Sequence, residues 1–232
     1  MTRHTVTERG KGTKWVFYVF ENPRHPGGPA WFIPHDNENS AFSAGIHAIA
    51  RYGGKLIAVA ARERRIFVGI DPNRNFALSK SKMIACRMKS PTPAFTNFVM
   101  GQFAGQKVIL TLHNNTDGGS VSAARKGSKT RGFLTPVPRG IKDPDNLVYM
   151  ASTRSYTSNP TGQREVQRLL NLGSNVVYER VSKNNNDCSM SNFIVLERPS
   201  LTYYNIEAQH GQTTIQKKMV DRMMVHLGVP KI

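Results

Sequence analysis

The chain has 232 residues, 39% of them hydrophobic, which is enough to bury one sizeable core and argues for a single domain over residues 1–232. Lys and Arg number 32 against 15 Asp and Glu, a formal net charge of +17, which favours anionic partners through an attraction that salt weakens. The basic residues are spread along the whole length without zinc-finger spacing, an aromatic RNA-binding signature or a continuous basic helix, so specific nucleic-acid binding is not expected.

No apolar run approaches the roughly 18 to 20 residues that span a bilayer, so no transmembrane segment is expected. The longest N-terminal run, Trp15 to Phe20, ends in Glu21-Asn22-Pro23 without a small-residue cleavage site, and no signal peptide is read in it. Trp15 to Phe20 and Ala30 to Ile33 read as buried strands bounded by Asn, Pro and Gly, the second delivering Pro34-His35. From Asn39 the period changes: Phe42, Ile46 and Ile49 recur at helical spacing, Asn39 or Ser40 offers a cap, and Gly53-Gly54 ends the segment. Leu56 to Ala60 and Arg65 to Val68 are expected as strands, the latter leading through Gly69-Ile70 into an Asp71-Pro72-Asn73-Arg74 loop.

A helix at about Ala94 to Phe103 precedes the strand Lys107 to Leu112, whose end presents His113. Residues 114–145, rich in Gly, Ser, Lys and Pro, read as a long surface excursion. Beyond it Leu147 to Ala151, Asn175 to Arg180, Phe193 to Leu196 and Leu201 to Ile206 are strand-like, with helices at Gln163 to Leu172 and Thr213 to His226. Strands alternating with helices predict an α/β domain with a mixed, largely parallel sheet, in which sites form beyond the carboxyl ends of the strands. Cys86 and Cys188 support no disulfide framework and are expected as two buried thiols, pairing being the alternative for an exported protein.

Those strand ends carry the chemistry. His35-x-x-Glu38 lies in a turn between a strand and a helix, and His113 emerges beside Asn114-Asn115. Two histidines and one carboxylate hold a metal in three positions and leave a fourth open, the pattern of a catalytic zinc. The alternative for Glu38 is support of the next helix's positive N-terminus. Arg74 offers a bidentate fork for a carboxylate with Asn73 beside it, although Asp71 pairing with Arg74 would make the loop a structural brace. One of Arg64 and Arg65, with Arg65 preferred, is placed to polarise a carbonyl and stabilise an oxyanion. Glu207 ends an apolar run and is suited to general-base work, the alternative being burial against an arginine. His210, three residues on, is a candidate partner or relay.

Together His35-x-x-Glu38, Asn73-Arg74, His113 in Leu-His-Asn-Asn and Glu207 in Asn-Ile-Glu-Ala-Gln-His-Gly resemble the zinc carboxypeptidase superfamily over about Ile33 to Gly211. By length and by the Asp-x-Asn-Arg-x-Phe form, the chain looks nearer the succinylglutamate desuccinylase and aspartoacylase branch than the digestive carboxypeptidases. The resemblance implies a mixed sheet sandwiched by helices and one Zn2+ held by His35, Glu38 and His113. It implies Asn73 and Arg74 on a substrate carboxylate, Glu207 as catalytic base and Arg65 at the carbonyl. Asp36-Asn37 inside the metal motif and the compact length depart from the deacylase pattern. With the basic charge, the resemblance therefore implies a peptidase acting on peptidoglycan stem peptides, an LD- or DL-carboxypeptidase or amidase, with a muropeptide bearing a free carboxylate as substrate. Electrostatic association with anionic cell-wall polymer would accompany it. An N-acyl amino acid deacylase is the second enzyme reading, and a non-catalytic binder of anionic polymer or nucleic acid the reading of another class. A peptidoglycan substrate places the protein in the periplasm or outside the cell; otherwise it is cytoplasmic.

Overall fold

Strict alternation along Lys14–Glu21 (β2) buries Trp15, Phe17 and Val19 and leaves their neighbours partly exposed, as a strand covered on one face requires. Burial of side chains such as Phe17 and Val19 contributes about 1.5–3 kcal/mol each. The structure, a computed structural model, describes every residue except 11, 84, 85, 87 and 89. Its elements are Thr2–Thr7 (β1), β2, Ala30–Ile33 (β3), Asn39–Tyr52 (α1), Lys55–Ala60 (β4), Pro93–Gln102 (α2) and Val108–Asn115 (β5). They continue with Thr130–Phe133 (β6), Leu147–Ser152 (β7), Pro160–Asn171 (α3), Asn175–Arg180 (β8), Met190–Glu197 (α4), Thr202–Gln209 (β9) and Thr213–Leu227 (α5).

The strands form one nine-stranded sheet in the order β1-β2-β4-β3-β5-β9-β7-β8-β6. It is mixed. Strands β4, β3, β5 and β9 run parallel to one another, as do β7 and β8, while β1 with β2, β2 with β4, β7 with β9 and β6 with β8 are antiparallel. One face packs on α1, α3 and α5 through Ala44, Leu169, Met219 and their neighbours. The other packs on α2 and α4 through Phe95, Val99, Met190 and Phe193. The expected sandwich of a mixed sheet between helices is therefore the observed architecture. Gly45 lets α1 lie close on the sheet, since a Cβ there would stand 3.0 Å from Ile33 and Leu56 side-chain carbons.

Several expectations are corrected. Arg65 to Val68 is not a strand: Phe67 and Ile70 exchange both backbone hydrogen bonds across a tight turn, with Val68 and Gly69 in left-handed conformation. Phe193 to Leu196 lies inside α4, because Ser189 caps a helix by accepting from the Asn192 N–H, and a short apolar run does not distinguish strand from helix. The 114–145 stretch contributes β6 to the sheet edge, and Asp145 ties its ends together by accepting from the Asn115 amide and the Gly118 N–H. Helix α1 is capped at Glu38 without a side-chain bond, and neither Asn39 nor Ser40 serves as the cap; the Ala41 N–H donates instead to Asn114 Oδ1. Strand β1 has no counterpart among the predicted elements. Cys86 and Cys188 are not free thiols but a disulfide, joining positions 102 residues apart.

Candidate metal centre and adjoining cleft

The parallel block β4-β3-β5-β9 brings four carboxyl ends to one edge. His35 and Glu38 occupy the turn leaving β3, His113 the later part of β5, and Arg65 and the 71–74 turn the connection after β4. His113 and Glu207 are register partners on adjacent parallel strands, so both side chains leave the same face about 4.8 Å apart along the strand-to-strand direction. Both strands run further than the sequence reading has them, so His113 and Glu207 lie within strands and not just beyond them.

His35, Glu38 and His113 are all buried and present ligand atoms within 4.8 Å of one another. His35 Nδ1 lies 2.7 Å from Glu38 Oε1 and 3.2 Å from His113 Nδ1, which is itself 3.2 Å from Glu38 Oε2. Glu38 Oε2 has no hydrogen-bond partner among the described residues, because its approach to His113 lacks hydrogen-bond geometry. Two ring nitrogens and an orphaned carboxylate oxygen converging in a buried space are donors that a cation satisfies. Two His and one carboxylate suit zinc. Burial disfavours ionised Glu38, yet the adjacent His113 and His35 imidazoles overcome it and hold its carboxyl well below the usual range.

Around this group stands a set of orienting contacts. His35 Nε2 is 2.7 Å from Asp71 Oδ1, which also accepts from the Asn73 N–H, so Asp71 turns the ring's other nitrogen toward Glu38. Burial lowers the His35 pKa, but the bonds to Asp71 and Glu38 prevail and raise it, and His35 in turn lowers that of Asp71 against its own burial. Asp71 does not pair with Arg74 as the brace alternative had it. Arg74 Nε lies 3.3 Å from Asp187 Oδ2, a residue with no mark in the sequence pattern. The Asn73 amide is engaged within the protein: Oδ1 accepts from the Met190 N–H, and Nδ2 lies 3.2 Å from His113 Nε2. Arg65 Nη1 donates to Glu38 Oε1 at 2.6 Å with its side chain half exposed, whereas Arg64 borders a separate shallow hollow with Ile66 and Val68. Asp36, inside the metal motif, accepts from the Ala61 and Glu63 N–H groups and so fixes the loop leading to Arg65. Behind His113, buried Gln216 donates to its carbonyl and accepts from Asn114. His210 is exposed on the turn after β9.

A cleft of about 260 Å³ opens beside the metal group. Its near end is formed by Asn73, Arg74, Asn205 and Glu207, with Glu207 Oε1 accepting from the Asn205 amide at 2.8 Å. The lining continues with Tyr149, the register partner of Asn205, and with Asp187, Glu179, Lys129 and Arg125, none of which the sequence reading includes.

The chain matches no protein-family model and no curated protein. It is similar in fold to solved structures at low identity. A metallo-carboxypeptidase from Burkholderia cenocepacia superposes with a TM-score of 0.52 at 10% identity, covering 98% of this chain and 64% of that one. The ectoine utilization protein EutE (DoeB) from Ruegeria pomeroyi gives 0.51 at 13% identity, over 99% and 68% of the two chains. A candidate metallopeptidase from Shewanella amazonensis gives 0.52 at 14% identity, over 99% and 87%. The chain thus spans about two thirds of the length of the first two, and the fold it shares with them is the one seen in the metallo-carboxypeptidase.

Proposed function

We propose that this chain is a zinc-dependent metallohydrolase, acting as one catalytic domain, that cleaves an amide bond next to a free carboxylate, with peptidoglycan stem peptides as its substrates. The observation that carries this reading is the convergence of His35 Nδ1, His113 Nδ1 and the orphaned Glu38 Oε2 in a buried space one strand from Glu207. His35, Glu38 and His113 hold one zinc ion, which supplies Lewis-acid activation of water and of the scissile carbonyl. Glu207 takes the proton of the attacking water and returns it to the leaving amine. Arg65, half exposed beside Glu38, stabilises negative charge growing on the carbonyl oxygen. Arg74, half exposed at the near end of the cleft, receives the free carboxylate in exchange for Asp187, with Asn73 holding His113 and bordering the same space.

The cell-wall part of the reading is supported by the +17 charge, which suits anionic polymer, and by the Cys86–Cys188 disulfide, which suits an oxidising compartment. Among the described residues no helix is long and apolar enough to cross a membrane. The test is metal analysis of purified protein followed by digestion of muropeptides with the zinc-loaded form and with Glu207→Ala. Close to one zinc per chain and release of an amino acid or peptide by the parent alone is the expected result. Cleavage confined to N-acetyl or N-succinyl amino acids would reassign the protein as a deacylase. Failure to take up zinc would remove the enzyme reading and leave the polymer binder.

A further inference from the structure

The sheet outruns its helices at β1 and β2. On one side α2 closes these strands, with Phe95 on Trp15 and Phe98 on Phe17. On the other side α1 packs over β3, β4 and β5, while Arg3, Thr5 and Thr7 stand exposed and Val16 and Tyr18 partly so. A groove of about 650 Å³ lies on this bare face, floored by the register partners Thr5, Val16 and Ala60 and flanked by Arg3, Lys14 and Arg62. Arg3 is level with Tyr18 and Lys14 with Thr7, which sets the two cations about 13 Å apart along the strands. Arg62 enters from the loop that leads to Arg65. All three are exposed and, among the described residues, none is in an ion pair. Asp36 is the one carboxylate on the lining, and its Oδ2 already accepts from the Ala61 and Glu63 N–H groups.

Cations spaced along an apolar, hydroxyl-bearing floor complement a chain with negative charges at intervals. An acidic polypeptide fits poorly, because its backbone N–H and C=O groups need partners that side chains on a sheet face do not supply in a row. Single-stranded nucleic acid needs aromatic platforms for successive bases, and of the two aromatics on the lining Phe67 packs on Trp15, leaving Tyr18. A polyol phosphate carries its charges in the backbone with hydroxyls between them, which matches the separated cations and the Thr5 and Thr13 hydroxyls. We propose that this groove binds a polyol phosphate chain of the cell wall, with phosphates on Arg3, Lys14 and Arg62. Asp36 and Arg62 follow the carboxyl ends of β3 and β4, so the bound polymer lies at the sheet edge that carries His35 and Glu38. It holds the protein on the wall and leaves the cleft open, since groove and cleft share no lining residue. For its cell-wall setting the inference rests on the proposed function; the groove itself uses none of the metal group.

The experiment measures binding of three probes of equal charge to the zinc-loaded protein by calorimetry at one ionic strength: a glycerol phosphate oligomer, oligothymidylate and oligoglutamate. The glycerol phosphate oligomer is expected to bind roughly tenfold more tightly than either of the others. Arg3→Gln combined with Lys14→Gln should weaken it roughly tenfold. Arg164→Gln combined with Lys218→Gln removes the same charge from exposed positions of α3 and α5, and should weaken it less than about twofold. Thr5→Glu, which sets a carboxylate on the floor and removes no cation, should match the loss in the groove pair. Equal losses in the two doubly substituted proteins would mean that the overall positive field attracts the probe, which overturns the inference. So would oligothymidylate or oligoglutamate binding as tightly, or none of the three binding. The two readings fail separately: muropeptide hydrolysis without groove-dependent binding removes the groove alone, while groove-dependent binding with no amide hydrolysed removes the hydrolase and keeps the binding site.

Discussion

The metal group and the cleft beside it, two walls on one sheet, are built on opposite principles. On the metal wall His35, Glu38 and His113 are buried, and each is held by a further contact: Asp71 for His35, Arg65 for Glu38 and Asn73 for His113. On the cleft wall the charges form ion pairs, half-exposed Lys129 with buried Glu179 and Arg74 with Asp187, both partly exposed. A buried donor set with an unsatisfied oxygen has fixed geometry and one use. The Arg74–Asp187 pair, exposed on both sides, contributes little to stability. A buried donor set and partly exposed ion pairs thus sit side by side on one sheet, divided near β9.

Substitutions on the metal wall have the largest expected effect. His35→Ala or His113→Ala should abolish zinc binding and bring turnover to background, a greater loss than the ~10–100-fold that removal of an outer partner costs. Equal zinc stoichiometry in either variant would refute the ligand set. Glu207→Gln should keep its zinc and lose about 10²- to 10⁴-fold in kcat, the usual worth of a general base. Retained activity would remove Glu207 from the chemistry and leave it as a lining residue of the cleft.

This division also governs what is legible in the sequence. His35, His113 and Glu207 stand out because each follows or ends an apolar run, and Glu38 by its spacing from His35 in the turn; the parallel block that gathers them follows from strand–helix alternation. Asp187, Glu179, Lys129 and Arg125 lie among ordinary polar residues, and they meet only because β7, β8 and β6 continue the sheet beyond β9, an order no local pattern encodes. The Cys86–Cys188 pairing, across 102 residues, is hidden for the same reason. Val68 defeats the strand reading differently: a β-branched residue in left-handed conformation looks in sequence like good strand material. Asp71 is visible as part of its motif, but its partner is not, since pairing with His35 depends on β3 and β4 being neighbours.

Intermediate effects probe the contacts between the walls. Asp71→Asn should weaken zinc binding about 10- to 100-fold while leaving the melting temperature of the metal-free protein near that of the parent. Chelator competition reads the first quantity, and an unchanged affinity would make Asp71 a loop brace. Arg74→Lys should raise KM about tenfold with kcat little changed, since a charge-assisted hydrogen bond contributes roughly 1.5–3 kcal/mol and the lysine retains part of it. A fall in kcat at constant KM would move Arg74 from recognition to chemistry.

The smallest effect is expected on the opposite face of the sheet, where Asp221 of α5 accepts from the Tyr52 hydroxyl and lies 2.8 Å from His47 Nε2, both on α1. Burial raises the Asp221 pKa, but these two partners outweigh it and hold it below the ordinary value. A carboxyl depressed in the folded state adds stability that is present above its unfolded pKa, about 3.9, and disappears as pH falls through the folded value. Asp221→Asn should therefore cost no more than about 1 kcal/mol at neutral pH, given its solvent screening. The gap from the parent, read by denaturant melts, should close as pH falls below about 4. Zinc content and KM should not move. A change in either would show that the α1–α5 contact transmits to the turn carrying Glu38, and the metal wall would then depend on the helices behind it as well as on its own contacts.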